Sequence, residues 1–147
     1  MQKFSALDML GKYPISGPQA RENQRLIHIP QDKMLRLIHG KENHILVSFF
    51  VSNDYVHFGT IQIPKGIFSD PEVHKGDEVL FVLKGKLTVQ VYEKESDEKE
   101  ESDTSVLHES YEICPEEQFY IPEGMKHRYL NFSDEVVEAV FGIAPEL

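Results

Sequence analysis

Cysteine is almost missing from this 147-residue chain: Cys114 stands alone, so there is no internal disulfide framework. A reducing cytoplasm is therefore the expected compartment. Tryptophan is absent. No apolar run approaches the ~20 residues a membrane-spanning helix needs. The opening residues, MQKFSALDMLGKYP, lack the apolar segment and small-residue cleavage site of a secretion signal. Positive charge is scarce, with 15 Lys and Arg against 25 Asp and Glu, for a net charge of −10 with His neutral. A phosphate-rich partner needs a basic face, so neither a nucleic acid nor a membrane is an expected partner. Half of the excess negative charge lies in residues 93–103, EKESDEKEESD, where seven acids face two lysines. That run has no apolar periodicity and is expected to be a solvated hairpin loop.

Strands alternating with long helices are also missing, which disfavours a parallel α/β sheet. What is present is a series of short segments rich in β-branched and aromatic residues. They are RLIHI, ILVSFFV, YVHFGTIQI, EVLFVL, KLTVQVY, QFYI, HRYLNF and EVVEAVFGI. Turn residues separate most of them: Ser52-Asn53-Asp54, Pro64-Lys65-Gly66, Lys84-Gly85-Lys86 and Pro122-Glu123-Gly124. The pattern predicts an all-β sandwich or barrel. Before it, FSALDML has a short helical look and YPISGPQ is rich in turn residues. The expected organisation is one structural domain, with a helix/strand arm over residues 1–45 and a barrel over residues 46–144. The chain is long enough to close a core without covalent staples.

Two segments carry the candidate chemistry. In the first, Glu72-Val73-His74 is followed by three residues and Glu78, then by six residues and Gly85. The second is Pro122-x-Gly124-x-x-His127-x-x-x-Asn131. Residues two apart on a strand share a face, so Glu72 and His74 are expected to converge. The turn at Pro122-Glu123-Gly124 starts the next strand and places His127 near its beginning. Gly85 is expected to permit a tight turn. His74, Glu78 and His127 are the candidate metal ligands. Imidazole nitrogen and carboxylate oxygen without thiolate suit Fe2+, Mn2+, Ni2+, Zn2+ or Cu2+. Glu72 is a fourth ligand, an unligated catalytic base acting on substrate, or simply solvated. Tyr129 should share the face of His127, and strand parity offers Gln118 and Tyr120 as cavity-wall residues. His28, His39, His44 and His108 stand at no ligand spacing, and His57 could face the cavity from its strand.

These segments resemble the paired motifs of the cupin superfamily, G-x5-H-x-H-x3,4-E-x6-G and G-x5-P-x-G-x2-H-x3-N. The likeness runs over about residues 60–132. It implies a small single-domain, RmlC-like jelly-roll β-barrel and a bound divalent metal ion. Two positions depart from the pattern. Glu72 replaces a histidine, and Glu116 stands where the second motif begins with glycine, a change that bears on loop geometry. The stretch EVHKGDEVLFVLKGKLTVQVYE is also similar to 3-hydroxyanthranilate dioxygenases, although its His–Glu spacing is tighter and the substrate is not carried over.

Three functions follow as expectations. The first is a mononuclear metalloenzyme acting on a small organic molecule, a non-haem iron dioxygenase with Fe2+ favoured. The second is a metal-dependent isomerase, epimerase or lyase acting on a sugar or carboxylic acid. The third is a non-catalytic small-molecule-binding barrel. A homodimer is also expected, with residues from about Arg25 to His39 adding strands across a two-fold axis. The competing reading is that this stretch folds back as an edge strand of its own barrel.

Overall fold

Alternation of buried and exposed residues decides where the strands run. In β4 (Asp77–Lys84), Glu78, Leu80 and Val82 point inward, and in β9 (Val137–Ala144) the alternation covers the full length. The computed structural model describes residues 6–40, 44–92 and 107–147. The expectation for residues 93–103 lies outside these; Tyr92 and Leu107, the described residues on either side, are register partners. The remaining strands are β1 (Leu35–His39), β2 (Ile45–Ser52), β3 (His57–Ile63), β5 (Leu87–Tyr92), β6 (Leu107–Ile113), β7 (Gln118–Ile121) and β8 (His127–Leu130). All pair antiparallel, in a larger sheet of order β1-β2-β3-β9-β4-β7 and a smaller one of order β6-β5-β8.

Residues 66–72 run antiparallel beside β8 as an irregular fourth member of the smaller sheet. Gly66 N–H donates to Asn131 O at 2.9 Å, Ser69 N–H to Tyr129 O at 2.8 Å, and Glu72 and His127 exchange bonds of 2.8 and 3.0 Å. The two sheets enclose one apolar core, forming an all-β jelly-roll barrel. Ile63, Leu80, Val82, Leu87, Val89, Val137 and Ala139 are fully buried in it. Burial of such side chains stabilises by roughly 1.5–3 kcal/mol for each larger one. Phe49 and Phe141 meet edge to face across β2 and β9, with centroids 5.7 Å apart.

The Lys84-Gly85-Lys86 turn carries the chain from the larger sheet to the smaller one, rather than closing a hairpin. Gly85 has φ +75°, and a Cβ there would sit 2.8 Å from Val136 O. Both its backbone conformation and the close approach demand glycine. Glu116 occupies the left-handed region at φ +69°, where the family pattern has glycine. A non-glycine residue is strained there by roughly 1–2 kcal/mol, and two backbone hydrogen bonds hold the turn: Glu116 N–H to Val82 O of β4 at 2.8 Å and Glu117 N–H to Cys114 O at 3.1 Å.

Several local expectations are corrected. Residues 25–29, RLIHI, are not a strand; they lie mostly exposed between helix and strand, with Leu26 almost fully in solvent. The turn-rich segment instead contains α1 (Gly17–Asn23), with Ser16 Oγ accepting from Gln19 N–H as N-cap and proline in the first turn. That Ser-Gly-Pro start was a legible helix signal. The described residues of FSALDML form a 3₁₀ turn at Ala6–Met9. β6, LHESYEI, was not recognised because this edge strand exposes Glu109, Ser110, Tyr111 and Glu112 in succession. Gln118 and Tyr120 lie exposed on the outer side of β7, while Phe119 and Ile121 face the core side. Parity was right, but the phase was opposite.

Candidate metal centre

His127 opens β8 on its inward side, where it pairs with Val91 of β5 and bridges to Glu72. His74 and Glu72 lie on the segment entering β4, and Glu78 is the first inward residue of β4. The Pro122-Glu123-Gly124 turn fastens these pieces together. Gly124 N–H donates to His74 O at 2.9 Å, and Glu123 N–H donates to Asp77 Oδ1 at 2.9 Å. The second segment therefore anchors the backbone of the first, which sequence spacing alone does not reveal. Gly66 is a missed part of this arrangement. It stands six positions before Glu72, where the family pattern has its first glycine, and adopts φ +75°.

The side chains converge as the spacing predicts, even though residues 72–74 are not a regular strand. Glu78 Oε2 lies 3.2 Å from His74 Nε2 and 3.4 Å from His127 Nε2. Glu72 Oε1 lies 3.5 Å from His74 Nε2 and 3.8 Å from His127 Nε2. Ligand atoms of Glu72, His74 and His127 all fall within 4.8 Å of one another. The ring nitrogen of His127 that faces away, Nδ1, is 2.8 Å from Met125 O. A carbonyl only accepts, so Nδ1 carries the hydrogen and neutral His127 presents a lone pair on Nε2 to the centre. Tyr129 donates its hydroxyl to Glu78 Oε1 and sits 3.2 Å from His127 Nε2.

Glu78 Oε2 is buried and has no hydrogen-bond partner among the described residues. An orphaned carboxylate oxygen aimed between two imidazole Nε2 atoms fits a divalent cation, which would take up all three lone pairs. The donors are nitrogen and oxygen throughout, in keeping with the expected metals.

His39 was set aside on spacing, yet the structure brings it to the site. The last residue of β1, it places Nε2 3.3 Å from Glu72 Oε2 and so holds the carboxylate by the oxygen facing away from the imidazole pair. Only the register β1 takes against β2 brings it there. His57 does not line the cavity: buried near Tyr13, its Nδ1 lies 2.8 Å from Ser52 Oγ, which also accepts from Gly11 N–H. His28 and His44 are exposed, and the side chain of His108 is outside the described residues.

Charge coupling in the metal-free cluster is strong. Burial pushes Glu72 up, but contacts with His39 and His74 outweigh it and hold the carboxyl at about 2. Burial pushes His74 down, but Glu72 and Glu78 together lift it to about 10. Burial likewise raises Glu78, yet His127, His74 and Tyr129 leave it below its ordinary value. Burial and the charges of Glu78 and Glu72 push the Tyr129 phenol well above its ordinary value, so it stays a hydroxyl donor.

These shifts set a pH window for the metal-free protein. The folded His74 value lies above the ordinary 6.5, so its stabilisation is complete below 6.5 and is lost as pH rises toward 10. The folded Glu72 value lies below the ordinary 4.5, so its stabilisation is present above 4.5 and is lost as pH falls toward 2. The stability difference between wild type and Glu72→Gln is therefore expected to peak between pH 4.5 and 6.5. Thermal melts of both proteins across this range check it; a difference independent of pH would contradict the coupling.

With this architecture and site in view, the comparisons assign a family. The cupin domain family matches residues 59–142, more than half of the chain. The chain belongs to the cupin family. Among solved structures, the polyketide cyclase RemF of Streptomyces resistomycificus is 12% identical, with 83% of this chain and 81% of that one covered and a TM-score of 0.61. An RmlC-like cupin of Shewanella frigidimarina is 13% identical over 82% and 92% of the two chains, with a TM-score of 0.58. A protein of Bacillus halodurans is 22% identical over 63% and 64%, with a TM-score of 0.53; this chain spans just under two thirds of its length. These likenesses show the fold. A comparison with curated proteins finds no match. No helix of the described residues is long and apolar enough to cross a membrane.

Proposed function

We propose that this cupin is a mononuclear metalloenzyme acting on a small organic molecule, with His74, Glu78 and His127 as metal ligands and Glu72 as the fourth. The observation that carries the reading is the orphaned Glu78 Oε2 between two imidazole Nε2 atoms. Two carboxylates balance the charge of one divalent ion, and Fe2+ is the favoured occupant. A ferrous ion held by these four residues would supply the redox chemistry that a dioxygenase reading needs. The protein contributes orientation: Tyr129 holds Glu78, His39 holds Glu72, and apolar walls keep water from the reacting end.

A second reading draws on the longer contacts of Glu72. At 3.5 and 3.8 Å from the imidazoles, and lining the cavity, it is placed to act as a general base in isomerase, epimerase or lyase chemistry. Oxygen consumption by iron-loaded protein, measured against catechols, aminophenols and thiols, separates the two. Uptake that requires iron is expected with at least one class. No uptake with any class, alongside a bound metal, would favour the Lewis-acid reading.

The homodimer is retained as part of this proposal, on a different surface. β1 pairs with β2 of its own chain, as the competing reading of residues 25–39 had it for the second half of that stretch. The outer face of the larger sheet, however, exposes Phe58, Val79, Phe81, Leu83 and Tyr120 together. Such a patch favours burial against a two-fold copy. Light scattering is expected to give twice the 17.0 kDa chain mass, and Phe81→Glu to return it to the monomer. A wild-type mass near 17.0 kDa at micromolar concentration would end the dimer idea.

A further inference from the structure

A cavity of about 250 Å³ opens beside the candidate metal centre. Its walls come from both halves of the larger sheet: Leu37, Val47, Phe49, Ile61, Phe141 and Ile143. Its polar groups are gathered at one end, where Glu72, His74, Glu78, Tyr129 and His39 meet. Among the described residues lining it there is no Lys or Arg. The cavity is therefore amphipathic along its length, with one chemically active end and an otherwise aliphatic and aromatic wall.

We propose, building on the metal-centre reading, that the ligand of this cavity is a small, uncharged, largely apolar molecule. Its oxygen donors lie at one end only, and molecules carrying a carboxylate or phosphate at the other end are rejected. Charge accounting supports this. Glu72 and Glu78 bring two negative charges, and one divalent ion neutralises them without surplus. The cationic candidates in the wall are already engaged, His39 by Glu72 at 3.3 Å and His74 by Glu72 and Glu78 at 3.5 and 3.2 Å. An anionic tail lying along Leu37, Val47, Phe49 and Ile61 would be desolvated with no counter-charge, and a buried unpaired ion is strongly disfavoured. A cationic tail meets the same wall. The volume falls below the ~300–1,000 Å³ of pockets that take drug-sized ligands, which points to a molecule of about one ring.

Isothermal titration with two near-isosteric ligands tests the proposal. 3,4-Dihydroxyacetophenone and 3,4-dihydroxybenzoate share a chelating oxygen pair and differ in whether the far end is neutral or anionic. Both are titrated into metal-free protein and into zinc-loaded protein, whose ion binds ligands without redox turnover, and zinc uptake is measured in parallel. The neutral ketone is expected to bind at least tenfold more tightly than the acid in both forms, because the wall and not the ion sets the selectivity. Equal or reversed affinities, or no binding of either ligand at millimolar concentration, would overturn the proposal. Absence of zinc uptake with the preference retained would instead remove the metal reading and leave the selectivity standing.

Discussion

The double variant His74→Ala, His127→Ala is expected to lose nearly all bound metal, from about one ion per chain to roughly a tenth or less, while keeping its β-sheet spectrum. Two of the four candidate ligands disappear, and both are imidazoles, the donors best suited to a borderline divalent ion. The remaining pair, Glu72 and Glu78, would present two carboxylates without nitrogen donors. Loss of an orienting partner alone typically weakens binding 10–100-fold, so loss of two ligands exceeds what purification retains. The fold should survive because the core layers of Leu80, Val82, Leu87, Val89 and Val137 do not depend on these side chains. Elemental analysis together with far-UV circular dichroism checks both halves. Roughly stoichiometric metal in the double variant would refute the ligand assignment.

Asn131→Ala should do the opposite, destabilising the fold while leaving metal content unchanged. Asn131 closes the second motif, but its side chain points away from the metal centre's chemistry and into the backbone. Its amide nitrogen donates to Ile63 O at 2.9 Å and to Glu135 O at 2.8 Å, and its carbonyl accepts from Ser133 N–H at 2.9 Å and Ser133 Oγ at 2.6 Å. The residue is almost fully buried. Alanine leaves the buried Ile63 carbonyl without this donor and releases the 131–135 turn that leads into β9. Each orphaned buried group costs about 1–3 kcal/mol. The expected total of about 3 kcal/mol would lower Tm by roughly 10 °C for a chain of this size. Thermal melts of the metal-free variant measure this directly. A melting point within a degree or two of wild type would mean that the turn holds without its asparagine.

The contrast between these residues shows how the motif divides its work. In the proposed centre His74, Glu78 and His127 would supply ligand atoms, whereas Gly66, Gly85, Gly124 and Asn131 position the backbone that carries them. Glu116 shows that one such backbone position tolerates a strained residue when backbone hydrogen bonds, one of them to β4, hold the turn.

The sequence by itself determined the all-β class and seven of the nine strands to within about two residues, and it singled out His74, Glu78 and His127, whose side chains converge. Hydrophobic alternation and the spacing of His, Glu, Pro, Gly and Asn are local properties, and they survive translation into structure. β6 was missed because an edge strand with polar exposed residues leaves no alternation to read, and the phase of β7 was misjudged because parity says which residues share a side but not which side is inside. Only the tertiary structure decided that Gly85 joins two sheets, that β1 folds against its own barrel, and that His39 reaches Glu72. Those outcomes depend on which segments meet: Leu35 lies opposite Phe49, His39 reaches Glu72, and Gly85 packs against Val136, and a pattern of neighbours along the chain carries no record of which strand will lie beside it.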